Sequence, residues 1–206
     1  MKISKLLWQA YFLLWPLTGG ILMGLTPSPV EAWPLAWVAL VPLWFLVARG
    51  ESVRQCALYG LVWGIGYHGL ALFWITGIHP MTWMGVPWLA SLAIAIFCWA
   101  FITLWGAVLV AIWAACLFWL VPSHPLETRV GRVRFGMNRS KIYPWLRVLL
   151  GTALWCGLEA LWSGGSLWWT SLSYTQSPHN LPILHLGQLS GPSTVVALIV
   201  AVNGLI

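Results

Sequence analysis

The sequence predicts an all-α fold: a polytopic membrane helix bundle of about six transmembrane spans, forming one domain over residues 1–206. Three observations carry this reading. Of the 206 residues, 60% are apolar and 7% charged, whereas soluble domains run at about 45–50% and about 25%. The apolar stretches are continuous over the ~20 residues that a helical span requires, and they lack the alternation of the ~10-residue strands of a membrane barrel. All ten Lys and Arg residues fall in alternate connections between these stretches. A soluble enzyme, a disordered tail and a disulfide scaffold are excluded together.

The first span is expected over residues 6–25, behind Lys2 and Lys5, with a bend near Pro16. Its apolar run is like that of a signal peptide, but no small-residue cleavage site precedes Thr26-Pro27-Ser28-Pro29. Glu31 then leads into a short second span, 33–48, followed by a connection with Arg49, Glu51 and Arg54. The third span is expected over 56–77, and a loop with His79, Pro80 and Pro87 follows it. The fourth, 88–121, carries no charge and is longer than a bilayer needs, so it is either strongly tilted or projects beyond the membrane.

A polar segment from Pro122 to Pro144 holds Arg129, Arg132, Arg134, Arg139 and Lys141, and Arg147 opens the fifth span, 145–163. Residues 164–190 are rich in Ser, Gly, Trp and Pro and carry no Lys, Arg, Asp or Glu. The sixth span begins at Gly191 and reaches Ile206. At 1.5 Å per residue it covers about 24 Å of a roughly 30 Å hydrocarbon core, so the sequence is expected to stop inside a helix.

Charge sets the expected orientation. With alternating spans, all ten cations lie in segments 1–5, 49–55 and 122–147, and none in 26–32, 78–87 or 164–190. The positive-inside rule then puts the N-terminus in the cytoplasm and the 164–190 stretch outside. The net charge of +6 is topology, not a nucleic-acid footprint. Asn138-Arg139-Ser140 has the form of a glycosylation sequon but falls on the inner side.

Gly64-Ile-Gly-Tyr-His-Gly69 spells a GxGxxG pattern. A dinucleotide site needs those glycines between a strand and a helix; in mid-span they read, with Gly60, as a face for close helix packing, and Gly20 and Gly24 give the first span the same option. Cys56, Cys98, Cys116 and Cys156 form no CxxC pair and read as small buried hydrophobes. His79, His179 and His185 have no ligand spacing and no acid that pairs with them, so neither a metal nor a cofactor is expected.

Most of the eighteen Trp residues read as interfacial anchors, among them Trp8, Trp33, Trp37, Trp83, Trp88, Trp145, Trp162, Trp168 and Trp169. The run from Ser166 to Gln176 is too polar for a span and too apolar for a free loop, and is expected to lie in the interface or re-enter between helices. Glu159, about one turn from the outer end of the fifth span, is an intramembrane carboxylate: a functional group, or a structural one bonded to an indole or a backbone donor. His68 reads as a histidine hydrogen-bonded between helices or as a catalytic one.

In order and spacing, several strings resemble the amino-terminal membrane part of the bacterial apolipoprotein N-acyltransferases. They are Pro27-Ser-Pro with Trp33-Pro34-Leu, Gly60-x-x-x-Gly64 through Phe73-Trp74-Ile, Leu154-Trp155-x-x-x-Glu159, Leu167-Trp-Trp-x-x-x-x-Tyr174-x-Gln176, and Gly187 to Gly191. The resemblance implies transfer of an acyl chain from a membrane phospholipid to the N-terminal amine of a diacylglyceryl apolipoprotein, on the outer face of the inner membrane. It also implies a nitrilase-like domain with a Glu, Lys and Cys triad, inserted after a seventh span. No residue here matches that triad, and an acyl-enzyme needs a thiolate beside a base, so these residues are expected to be a scaffold that is inactive alone. Glu159, Trp155, Trp168, Trp169, Tyr174, Gln176 and His68 are the expected cleft residues. A small transporter or channel subunit, or a non-catalytic membrane partner of a separately encoded catalytic part, are the alternatives.

Overall fold

The computed structural model describes residues 2–121 and 144–206, with the backbone alone for residues 2–11. It is all-helical, with no strand among the described residues. Helix α1 (Lys2–Gly24) runs unbroken through Pro16. The expected second span is not one helix. A 3-10 turn, Trp33–Trp37, is followed by the short α2 (Val41–Ala48). The break between them is held open by a distant side chain: Asn203 Oδ1 accepts the Leu40 N–H (2.8 Å) while its Nδ2 donates to the Ala36 carbonyl (2.9 Å). A continuous helix would join those two groups to each other, so the amide is an insertion into the i to i−4 ladder.

Helix α3 (Val53–Ala71) starts at Ser52, whose hydroxyl accepts the Gln55 N–H at 3.2 Å. It stops short of the expected Gly77, and a 3-10 turn takes over at Phe73–Ile78. The Gly69 carbonyl, which the next helical turn would use, instead accepts from Trp99 Nε1 at 2.8 Å. Helix α4 (Trp88–Leu120) has 33 residues, about 50 Å in length. After α5 (Pro144–Ser163) come the short α6 (Leu181–His185) and α7 (Gly187–Ser190), then α8 (Pro192–Leu205), bent by 118° from the pair before it.

Helix α3 is the centre of the bundle because its glycines let neighbours approach. A Cβ on Gly64 would lie 2.6 Å from the Ala107 Cα of α4, and one on Gly20 of α1 would run into the Trp63 carbonyl. The packing role read from the GxxxG spacing is therefore the one the fold uses. Contacts also give directions. Gly20 and Gly24 meet α3 near Trp63 and Leu70, so α1 and α3 run parallel; Gly60 and Gly64 meet Val110 and Ala107, so α4 runs back. Trp113 donates to Gly151 O and Trp162 to Trp105 O, which makes α5 antiparallel to α4. Cys56 Sγ lies 4.0 Å from the Val47 carbonyl, and Trp63 Nε1 donates to Ala39, so α2 opposes α3. Helix α8 opposes α5, with Ser193 near Cys156 and Gly204 near Val148.

The longer helices thus alternate in direction. Lys2, Lys5, Arg49, Arg54 and Arg147 all fall at the same end of the bundle, at or beside the starts of α1, α3 and α5 and the end of α2. Arg129, Arg132, Arg134, Arg139, Lys141 and the Asn138 sequon lie outside the described residues. By length and hydropathy, however, one described helix is able to cross a membrane by itself, Trp88–Leu120, or two if the bent pair ending in α8 counts as one. Helix α4 is apolar on every side: it buries Leu109, Val110, Trp113 and Leu117, yet exposes Leu89, Phe97, Phe101 and Trp119.

Not every Trp is an interfacial anchor. Trp44, Trp63, Trp113 and Trp155 are buried in the core. They form a column of edge-to-face rings, Trp44 to Trp113 at 5.1 Å, Trp113 to Trp155 at 5.2 Å and Trp155 to Trp63 at 6.0 Å. Tyr67, His68 and Trp168 extend the column to the end away from the cations, at 5.5, 4.6 and 5.7 Å between successive rings.

Candidate functional site

The aromatic column ends beneath the 166–176 segment. Glu159, 7% exposed, sits on α5 one turn from Trp155, whose indole Nε1 donates to its Oε2 at 3.0 Å. The Ser171 hydroxyl and the Leu172 backbone N–H lie near the same carboxyl group. From α3, Tyr67 Oη donates to the Thr170 and Ser171 carbonyls (3.3 and 3.4 Å), and His68 Nδ1 pairs with Thr170 Oγ1 at 2.7 Å. An irregular backbone between helices must have its polar groups satisfied by protein. Here the Tyr67 hydroxyl supplies the backbone partner and His68 holds the Thr170 side chain, so the segment is pinned at residues 170–171. It then closes into a 3-10 turn, Leu172–Gln176, whose first N–H groups are satisfied in part by Ser171 Oγ accepting from Ser173 N at 3.2 Å.

Above this floor lies a cleft of about 780 Å³. Tyr67, Ala71 and Trp74 form one wall, Trp169 to Ser171 and Tyr174 another, and the loop from Pro27 to Glu31 the third. The Trp74 and Trp169 rings stand 6.0 Å apart across it. At its mouth His179 Nε2 and Glu31 Oε2 lie at hydrogen-bond distance, 2.7 Å. The expectation that no acid pairs with this histidine is thus corrected: 148 residues separate the two in sequence, and only folding joins them. No three His, Cys, Asp or Glu side chains converge on a metal position among the described residues.

Of the expected cleft residues, Trp169 and Tyr174 line the cleft, while Glu159, Trp155, His68 and Trp168 form the layer beneath it. Gln176 does not face the cleft. It is fully buried, its Nε2 directed at the Thr175 hydroxyl and the Trp33 carbonyl and its Oε1 accepting from Asn180 Nδ2. Sequence reading missed Tyr67 and Glu31, and it marked Thr170 and Ser171 only as part of the 166–176 run. Tyr67 stood inside the glycine pattern, where packing was the only role weighed. The position of Glu31, the sole acid in the cation-free connections, was the available signal for that residue.

Comparison with known proteins adds the context. Residues 19–205 match the model of the apolipoprotein N-acyltransferase N-terminal domain. Among similar proteins, the apolipoprotein N-acyltransferase of Nostoc sp. is 56% identical over 188 residues, which is 89% of this chain and 34% of that protein. The Synechocystis sp. protein of the same name is 44% identical over 195 residues, 89% of this chain and 36% of its own length. The Gloeobacter violaceus protein is 33% identical over 190 residues, 91% of this chain and 32% of its own. The chain therefore spans about a third of the length of the curated relatives it matches. With a domain match over nearly its whole length, this chain belongs to the apolipoprotein N-acyltransferase family, in the part that forms the N-terminal domain.

Proposed function

We propose that residues 1–206 are the membrane scaffold of a lipoprotein N-acyltransferase and form one domain that crosses the bacterial inner membrane about six times, with its N-terminus in the cytoplasm. Support for the crossings comes from the alternating helix directions, from the apolar exterior of α4, and from the gathering of the described Lys and Arg positions at one end. The break in the 33–48 segment is compatible with membrane depth, because Asn203 satisfies the freed backbone groups inside the protein.

The observation that carries the function is the cleft of about 780 Å³ at the end remote from the cations, floored by the segment pinned to Tyr67 and His68 and lying beside Glu159. Its walls are aromatic and its mouth polar, which suits the boundary between acyl chain and headgroup. In this reading the donor is a membrane phospholipid and the acceptor a diacylglyceryl apolipoprotein. The acyl-transfer chemistry belongs to a catalytic part, in the same polypeptide or encoded separately. Among these residues Cys56 is buried in the bundle, and Cys156 faces the Ser193 carbonyl at 3.8 Å. Neither has the activated thiolate setting of an acyl-enzyme.

Glu159→Gln in a full-length relative tests the role of the floor. Loss of the charged acceptor of the Trp155 indole beside Ser171 and Leu172 should lower acyl transfer to a diacylglyceryl peptide by roughly tenfold, with the enzyme still folded. Unchanged transfer and unchanged stability would remove Glu159 from the site. The purified 206-residue chain, given phospholipid and peptide, should show no turnover; measurable turnover would overturn the division of labour.

A further inference from the structure

Glu31 is the one non-glycine residue with positive φ, +59°, among the described residues. Left-handed backbone is disfavoured for residues with a Cβ, and such conformations gather at ligand sites. The turn is held by Glu31 N–H donating to Pro27 O (3.1 Å), Ala32 N–H to Leu25 O (3.0 Å) and Trp33 N–H to Glu31 O (2.8 Å). It brings the carboxylate to the cleft, where Trp74, Trp169 and Tyr174 present partly exposed rings. A carboxylate beside aromatic faces is the chemistry that holds an organic cation, because the negative faces of the rings add to the charge of the acid.

The surroundings select among cations. The connections at this end, 26–32, 78–87 and 164–190, contain no Lys or Arg. The described cations lie at the far end of α3, whose 19 residues measure about 28 Å. A phosphate would find no Lys or Arg here, only the His179 imidazole already engaged by Glu31, and would meet the Glu31 charge. A zwitterionic lipid headgroup, with a phosphate beside its ammonium, is therefore a poor fit. An amine whose neighbours are uncharged is a good one.

We infer that Glu31, with Trp74, Trp169 and Tyr174, is a recognition subsite for a primary ammonium group, the amino terminus of the acceptor polypeptide, and that His179 occupies the carboxylate until that amine displaces it. The inference rests on the cleft proposed above as the acceptor site. It assigns binding to Glu31 and no proton or acyl step.

The test uses the 206-residue chain in detergent micelles and a dipalmitoylglyceryl-cysteinyl peptide amide, with its amino terminus either free or acetylated, with binding read by native mass spectrometry. The wild type should hold the free amine about fivefold tighter than the acetylated twin, the scale of one ion pair plus a cation–π contact. Glu31→Gln, of the same size, should reduce that preference to within about twofold, while His179→Gln should strengthen it. Trp74→Leu changes an exposed ring, keeps the fold and should weaken the preference. Equal binding of the two peptides, or a preference that survives Glu31→Gln, would overturn the subsite while leaving the cleft reading in place. Binding of neither peptide would overturn both. Glu31-dependent retention of phosphatidylethanolamine over phosphatidylglycerol, with no peptide preference, would replace the polypeptide amine by a lipid headgroup and so overturn the assignment.

Discussion

Replacing Asn203 by Leu, of similar size, is expected to destabilise the bundle more than any other single polar change in α8. The side chain is 1% exposed and makes three hydrogen bonds: from Leu40 N–H at 2.8 Å, to Ala36 O at 2.9 Å and to Ile199 O at 2.8 Å. The Ile199 carbonyl stays inside a helix, so its loss is small. The Leu40 N–H and Ala36 O sit at the break before α2, and the substitution leaves both buried and unpaired. Orphaned buried groups cost about 1–3 kcal/mol each, whereas hydrogen bonds between membrane helices average only about 0.6 kcal/mol. The backbone case belongs nearer the first figure, because the two groups could pair with each other only if the 33–48 segment rewound into one helix. The expected loss is about 2–4 kcal/mol. Asn203→Asp, which keeps the acceptor for Leu40 but loses the donor to Ala36, should also destabilise. Unfolding of the purified chain in mixed micelles, followed by circular dichroism against increasing denaturing detergent, measures this. A change below about 0.5 kcal/mol for Asn203→Leu would refute the view that this amide holds the break open.

Three further outcomes follow from the packing. Gly64→Val should separate α3 from α4 and cost about 1–3 kcal/mol or prevent folding, since its Cβ would meet the Ala107 Cα at 2.6 Å; Gly157→Ala, with nothing within 4 Å, should be neutral or gain up to about 1 kcal/mol, both read in the same unfolding assay. Thr170→Val removes the partner of the buried His68 Nδ1 and should cost about 1–3 kcal/mol, with Thr170→Ser restoring most of it. In a chain whose four cysteines are replaced by Ala, a Trp83→Cys variant in bacterial cells should react with a membrane-impermeant maleimide added outside, and Ser52→Cys should react only after the membrane is opened. The reverse pattern would invert the proposed orientation.

What was legible from sequence is what depends on composition and local spacing. The apolar inventory and the scarcity of charge decided the helical class, because a long run of apolar residues satisfies its backbone most simply within one helix. Gly60, Gly64, Gly20 and Gly24 were readable as packing faces, because helical periodicity alone puts residues four apart on one side. Charge placement gave an expected orientation, since Lys and Arg in short connections follow the positive-inside rule without any knowledge of packing. The family strings around Trp155, Glu159 and Leu167 to Gln176 marked the region of the cleft floor.

Only tertiary structure could decide which polar group meets which. The 33–48 segment looked continuous because the amide that divides it lies at Asn203, 163 residues from Leu40 in sequence. Gln176 and Tyr174 are two residues apart on one short turn, yet packing buries the first and leaves the second half exposed. Trp63 and Trp113 are indistinguishable by residue type from the exposed Trp83, and became core because their indoles found carbonyls at Ala39 and Gly151. Glu31 and His179 acquire a common site only when the loops that carry them meet beside the cleft. The sequence by itself determined an all-helical apolar chain with its cations in alternate connections, because composition and periodicity are properties of the single strand. The cleft, its floor and the carboxylate at its mouth were decided by packing, because each is made of groups that are distant in the chain and satisfied only by one another.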